Sequence, residues 1–325
     1  MAGLKTIKTK IRSIEKTQTV TRAMEAVSAS KMRKAQNKAL AGRTYARAAL
    51  SILARVSGSR DLAKHPLVSG SHISRSESRT RPSGPERSSG RNVADCLYVV
   101  ITSDKGLAGG LNSGVLRAVE KDMQCAGLSS RNTSIIAVGR KAFDFFTTRG
   151  FTIAAYHPNT DVVTAELVEG IVGEAAQRFA TGEVSEVKVA YQNFISTFEQ
   201  RPTLRTVFPL SLGELSSVVG DIVPARGALV QSKEQLAPVM HTVEPSAEEV
   251  LDVILPKLAS IFVYHALLES LASEHSARMV SMKSASDKAG EMEHALTLQF
   301  NKARQAAITR EVSEITGGME AMSTN

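Results

Sequence analysis

From Pro256 to Ile315 the chain has the pattern of a single helix of about 60 residues. At ~1.5 Å per residue that is ~90 Å, longer than a globular core can bury. Steps of three and four alternate along it: Ile261, His265, Leu268, Ala272, His275, Met279, Met282, Ser286, Ala289, Glu293, Leu296, Phe300, Ala303 and Ala307. Most of these are apolar or small, which makes the row a coiled-coil seam. Pro256 suits a first turn, and Gly317-Gly318 is expected to end the helix. A helix of this kind needs a partner.

The other end of the chain supplies one. Leu4, Ile7, Ile11, Ile14, Thr17, Val20, Met24 and Val27 again step by three and four. The pattern continues loosely through Ala35, Ala39, Ala46, Leu50 and Leu53. A helix over about 3–56 is expected, with Gly42 as its weak point. Two terminal helices with seams should pair antiparallel, with the rest of the chain inserted at one end.

Charge sets the first helix apart. Residues 1–60 hold fourteen Lys or Arg against Glu15 and Glu25, a balance of +12, which leaves −4 of the overall +8 for the remainder. Such asymmetry points to an acidic or polyanionic partner for that segment. With no run of 18 apolar residues, no direct membrane span is expected. Cys96 and Cys125 are too few for a disulfide framework or a metal site.

Residues 58–92 are dominated by Ser, Gly, Arg and Pro, a composition that reads as a solvated loop outside any core, with a basic docking segment as the alternative. Residues 93–210 alternate. Short β-branched runs at 96–101, 134–138, 151–156, 187–191 and 204–208 are separated by helical patterns near 112–125, 140–149 and 164–181. This is the signature of an α/β sheet, Rossmann-like in its order. An irregular connection with a short helix over 211–255 leads to the terminal segment 256–325. The fold class is therefore α/β: a long antiparallel coiled coil of N- and C-terminal helices with an inserted Rossmann-like domain.

Chemistry is sparse. The turn Thr102 to Asn112 follows the first strand and opens a helix, where a doubly wound domain cradles phosphate. Its glycines match neither G-x-G-x-x-G nor the P-loop, and Gly-Lys-Ser/Thr occurs nowhere. A tight strand-to-helix turn is the better reading. His265 and His275 are ten apart on the seam and read as packed residues, not metal ligands. No catalytic residue, cofactor or metal is expected. Two alternatives remain open: a basic coiled coil that binds nucleic acid, disfavoured because aromatics are nearly absent from its charged face, and a nucleotide-dependent α/β enzyme.

Three motifs carry a resemblance. They are Ile11–Ile14 running on to Thr21–Met32, the turn Ser103–Asn112, and Asn301–Thr309, with Glu269–Met282 also fitting. In this order they resemble the gamma subunit of F-type ATP synthases over nearly the whole chain. Ala108 stands where that family often has Cys, and the loop at 70–91 is longer and more basic than usual. The resemblance implies a central-stalk rotor, not a catalyst. Its expected partners are the alpha and beta subunits of the head, an epsilon subunit and the membrane c ring, with no nucleic acid. It also implies a peripheral position on the cytoplasmic side of a bacterial inner membrane. Carried over by position, Arg304, Gln305 and Thr309 match a polar cluster that contacts the beta catch loop. Met24 matches a first-helix position near that contact, and Glu244 an acidic residue facing the c ring.

Overall fold

The computed structural model describes residues 2–56, 66–69, 96–210 and 247–323. Its elements are α1 (Ala2–Val56), α2 (Pro66–Ser69), β1 (Cys96–Ile101), α3 (Leu111–Cys125), β2 (Thr133–Val138) and α4 (Arg140–Thr148). They continue with β3 (Thr152–His157), α5 (Ala165–Ala180), β4 (Glu186–Phe194), β5 (Gln200–Phe208) and α6 (Ala247–Ser323). The basic loop at 70–91 and Glu244 lie outside the described residues. The chain divides into two compact units, residues 31–277 and residues 1–30 with 278–325.

Within residues 31–277 the sheet has the order β3-β2-β1-β4-β5. The first four strands are parallel, and β5 returns antiparallel to β4. Every residue of β1 and β2 is buried, as a parallel sheet covered on both faces requires. β5 is an edge strand, which tolerates Pro202 opposite Gln192.

Alternation along β1 sorts the two faces. Leu97, Val99 and Ile101 face α5 and α6, where Ile171, Phe179, Leu251, Leu255 and Phe262 close the core. Tyr98 and Val100 face α3 and α4, against Val115, Val119, Met123 and Phe146. Phe179 stacks on Phe208 at 5.5 Å between ring centroids. The segment expected to stay outside the core contributes to it: Leu67 of α2 is buried, and its carbonyl accepts a hydrogen bond from the Leu210 N–H at 2.9 Å.

α6 is longer than the sequence suggests at both ends. It begins at Ala247, so residues 247–255 are its opening turns and not a separate short helix. Pro256 lies inside it. Burial of Leu251, Leu255 and Leu258 against the sheet holds the helix through the lost hydrogen bond. Gly317 and Gly318 are helical and exposed; glycine permits a stop but does not compel one. Part of α6 is long and apolar enough to cross a bilayer by length and composition, but half of that stretch is buried inside the protein, as in a core helix.

In residues 1–30 with 278–325, α1 and α6 pair antiparallel. The α6 seam is the expected one, with Met282, Ser286 and Ala289 buried. The α1 seam departs from expectation after Ile14. It continues through Gln18, Thr21, Glu25 and Ser28, keeping strict heptad steps, while Val20 and Val27 are 57% and 54% exposed. Following the apolar residues slipped the register by one. The physical reason lies across the interface. A Cβ at Gly290 would meet Nε2 of Gln18 at 2.8 Å, so this stretch packs by close approach of small residues. Thr21 is tolerated because its hydroxyl donates to the carbonyls of Thr17 and Gln18, at 3.0 and 2.9 Å.

Candidate functional site

Arg304, Gln305 and Thr309 are all exposed on α6, beside the half-buried seam positions Phe300, Ala303 and Ala307. Arg304 and Gln305 are about 100° apart around the helix, so they form a polar patch next to the seam. The Thr309 hydroxyl donates to the Gln305 carbonyl at 3.0 Å, which fixes it one turn further on. Among the described residues Arg304 has no ion partner, leaving its guanidinium free for a planar, bidentate acceptor.

Met24 is not part of this patch. Gln18 packs on Gly290, so in an antiparallel pair Met24 falls near the level of residue 284. That is twenty residues, or ~30 Å, from Arg304. Met24 is half-buried beside the seam, a packing position at a different height.

Beyond the patch, sequence reasoning missed a second surface. Ile308, Val312, Ile315 and Met319 are all more than half exposed and share one helix face at helical spacing. The spacing was legible, but the glycines read as a stop hid its extent.

The turn after β1 is closed by its own groups. The Ser103 N–H donates to Asn112 Oδ1 at 3.0 Å, and Asn112 Nδ2 donates to Ser103 Oγ at 2.7 Å. At the start of α4, the N–H groups of Arg140, Lys141 and Ala142 donate to Asp104 Oδ1, the Ser103 carbonyl and Thr102 Oγ1. The Leu111 N–H that opens α3 donates to the Ala108 carbonyl. These are the donors a phosphate would use at the carboxyl edge of such a sheet. Gly139, at φ 94°, allows the close crossing: a Cβ there would lie 2.1 Å from the Thr102 carbonyl oxygen. Leu107 adopts φ 64° without being glycine and is exposed.

Two polar clusters lie deeper. The Tyr98 hydroxyl donates to Asp122 at 2.6 Å, and Lys188 donates to the same carboxylate at 3.0 Å. Burial and that hydrogen bond push the Tyr98 phenol up, and burial followed by Glu186 pushes the Cys96 thiol up to about 12. Cys96 is thus an inert core thiol, whereas Cys125 is exposed. In the second cluster Asp161, in the loop before α5, accepts from Lys31 of α1 at 2.5 Å and lies 3.4 Å from His275 of α6. The hydrogen bond from Lys31 holds the Asp161 carboxyl below the usual range. His265, buried, pairs with Glu269 at 3.2 Å. Among the described residues no group of His, Cys, Asp and Glu could hold a metal.

The paired helices end in an exposed, chemically mixed stretch of α6, and the phosphate-type donors at the carboxyl edge of the sheet are bonded internally. The ATP synthase family model matches residues 3–322. The ATP synthase gamma chain of Heliobacterium modesticaldum is 36% identical over 99% of this chain and 100% of its own length. That of Nitrosomonas europaea is 35% identical over the same shares. In fold, the chain matches one from the Euglena gracilis mitochondrial ATP synthase with TM-score 0.61 and 16% identity, covering 99% of this chain and 95% of that one. A chain in the central stalk and c-ring structure of the Tetrahymena thermophila enzyme gives 0.55 and 23%, covering 82% and 99%. The chain belongs to the ATP synthase gamma-chain family.

Proposed function

We propose that this chain is the central-stalk rotor of a rotary, proton-translocating ATP synthase, turning with the c ring and driving the beta subunits through their catalytic states. The observation that carries the reading is the far end of α6. From residue 308 to 319 every side chain is exposed, and the α1 pairing register runs out near residue 306. A helix end left exposed among the described residues offers its mixed polar and apolar surface to a partner.

In this reading the chain holds no catalytic residue. Rotation matters because one face carries Arg304 and Gln305 and the others do not. Only a difference in contact free energy among beta conformations can bias them. Thr309 supports the patch, and Met24 acts separately, at the seam. The sheet domain meets the c ring, on the cytoplasmic side of the membrane, with Glu244, which lies outside the described residues, carried over by position as the acidic contact. The nucleic-acid and nucleotide-enzyme alternatives have no comparable support; the donors that the latter needs are already bonded.

Arg304→Ala with Gln305→Ala should leave the fold intact, because the seam is untouched. Losing a charge-assisted contact costs about 1.5–3 kcal/mol in the states that make it. ATP turnover by the assembled complex should then fall about tenfold or more. Glu291→Ala is the control. Glu291 is exposed and, among the described residues, pairs only with Lys288, at 2.7 Å, and its loss should be silent. Equal turnover in the two variants would remove the catch assignment.

A further inference from the structure

The helix N-termini at the sheet's carboxyl edge are occupied, but a cationic cleft nearby is not neutralised. It lies within residues 31–277, between α1, the loop before α5 and α6, and holds about 100 Å³. Lys31, Lys34 and Lys38 line it from α1. Spaced by three and four residues, they share one helix face, where like charges repel. Among the described residues Asp161 and His275 are the other titratable groups facing it. Asp161 is taken up by Lys31 and His275. Among the described residues neither Lys34 nor Lys38 has an ion partner.

We propose that this cleft seats a small phosphate-type oxyanion, held by Lys34 and Lys38 beside the Lys31–Asp161 pair. The donor chemistry selects the ligand. Among the described residues no guanidinium lines the cleft, so they offer no planar fork of the kind that suits a carboxylate. Lysine ammonium groups rotate freely and suit the tetrahedral oxygens of phosphate. The apolar floor of Leu268 and Leu271 keeps water from screening the charges. The volume takes one tetrahedral group and excludes a helix or a duplex. An anion between Lys34 and Lys38 also relieves their mutual repulsion, and Asp161 shows that an oxyanion is already tolerated at the cleft mouth. That carboxylate repels an incoming anion, which gives the test a direction.

The test titrates inorganic phosphate into the full chain at about 0.15 M salt, followed by calorimetry and phosphorus NMR. One saturable site per chain is expected. Lys34→Gln with Lys38→Gln should weaken it about tenfold or more. Lys8→Gln with Lys10→Gln removes the same charge from exposed positions of the same helix and should leave affinity near the wild-type value. Asp161→Asn should tighten binding severalfold, a gain that misfolding cannot mimic. Equal weakening in the two double variants would mean general attraction to a basic helix. No tightening in Asp161→Asn would place the ion elsewhere. Either result, or the absence of saturation, overturns the proposal.

Discussion

One helix, α6, is packed in two different ways. Between Phe262 and Ser276 most of its side chains are buried, on nearly every face. Between Arg278 and Ala307 only a stripe is covered, and the α1 seam of the same unit mixes half-buried Ile7, Ile11 and Ile14 with Gln18, Thr21 and Ser28. The first stretch is stabilised by apolar area removed from water. The second is only half covered, and around Gly290 it holds by close approach, so it has less apolar area to lose. Local helix propensity does not distinguish them; the neighbours do.

The largest expected effect tests the apolar core that the first stretch joins. Phe179→Ala leaves a cavity against Phe208 and should cost about 3–5 kcal/mol, read as a fall in the midpoint of chemical unfolding. A loss below about 1 kcal/mol would mean that the sheet face is not the core described.

Next in size is overpacking of the close seam. Ser28 is 3% exposed, so Ser28→Leu should cost about 1–3 kcal/mol. Its neighbour Val27, which the apolar pattern places in the seam, should tolerate Val27→Ser within about 0.5 kcal/mol. The pair of variants decides the register. A tolerated leucine at 28 together with a damaging serine at 27 would restore the slipped one.

The smallest effect is electrostatic. Lys31 lowers the folded-state pKa of Asp161, so the pair stabilises the fold above the ordinary carboxylate value of about 3.9. That contribution fades as pH falls from there through the lowered folded value. Both side chains are partly exposed, at 39% and 49%, which limits the pair to ~1 kcal/mol. Asp161→Asn should lower the Tm slightly at pH 7, and the gap should close in acid. A gap that widened in acid would contradict the sign.

The element order and the α6 seam were legible because burial there follows apolar periodicity. His265, Leu268, Ala272, His275, Met282, Ser286 and Ala289 are all buried where the steps of three and four place them. The α1 register was not legible, because Val20 and Val27 obey the same periodicity with the wrong phase, and only Gly290 on the opposite helix decides between them. Of the candidate site, Arg304, Gln305 and Thr309 come together because they are sequence neighbours on one helix. Met24 was misplaced because its height depends on the pairing register. The Lys31–Asp161–His275 cluster joins residues more than a hundred positions apart, and no local pattern marks it.

A rotor turns as a body. Cys125 is exposed and Cys96 is buried, with its thiol pushed up to about 12, so a thiol-directed reporter attaches at Cys125 alone. With the assembled head held to a surface, unidirectional rotation of that reporter is expected during ATP hydrolysis, at a rate that tracks turnover. A stationary reporter on a complex that hydrolyses ATP at its full rate would contradict it.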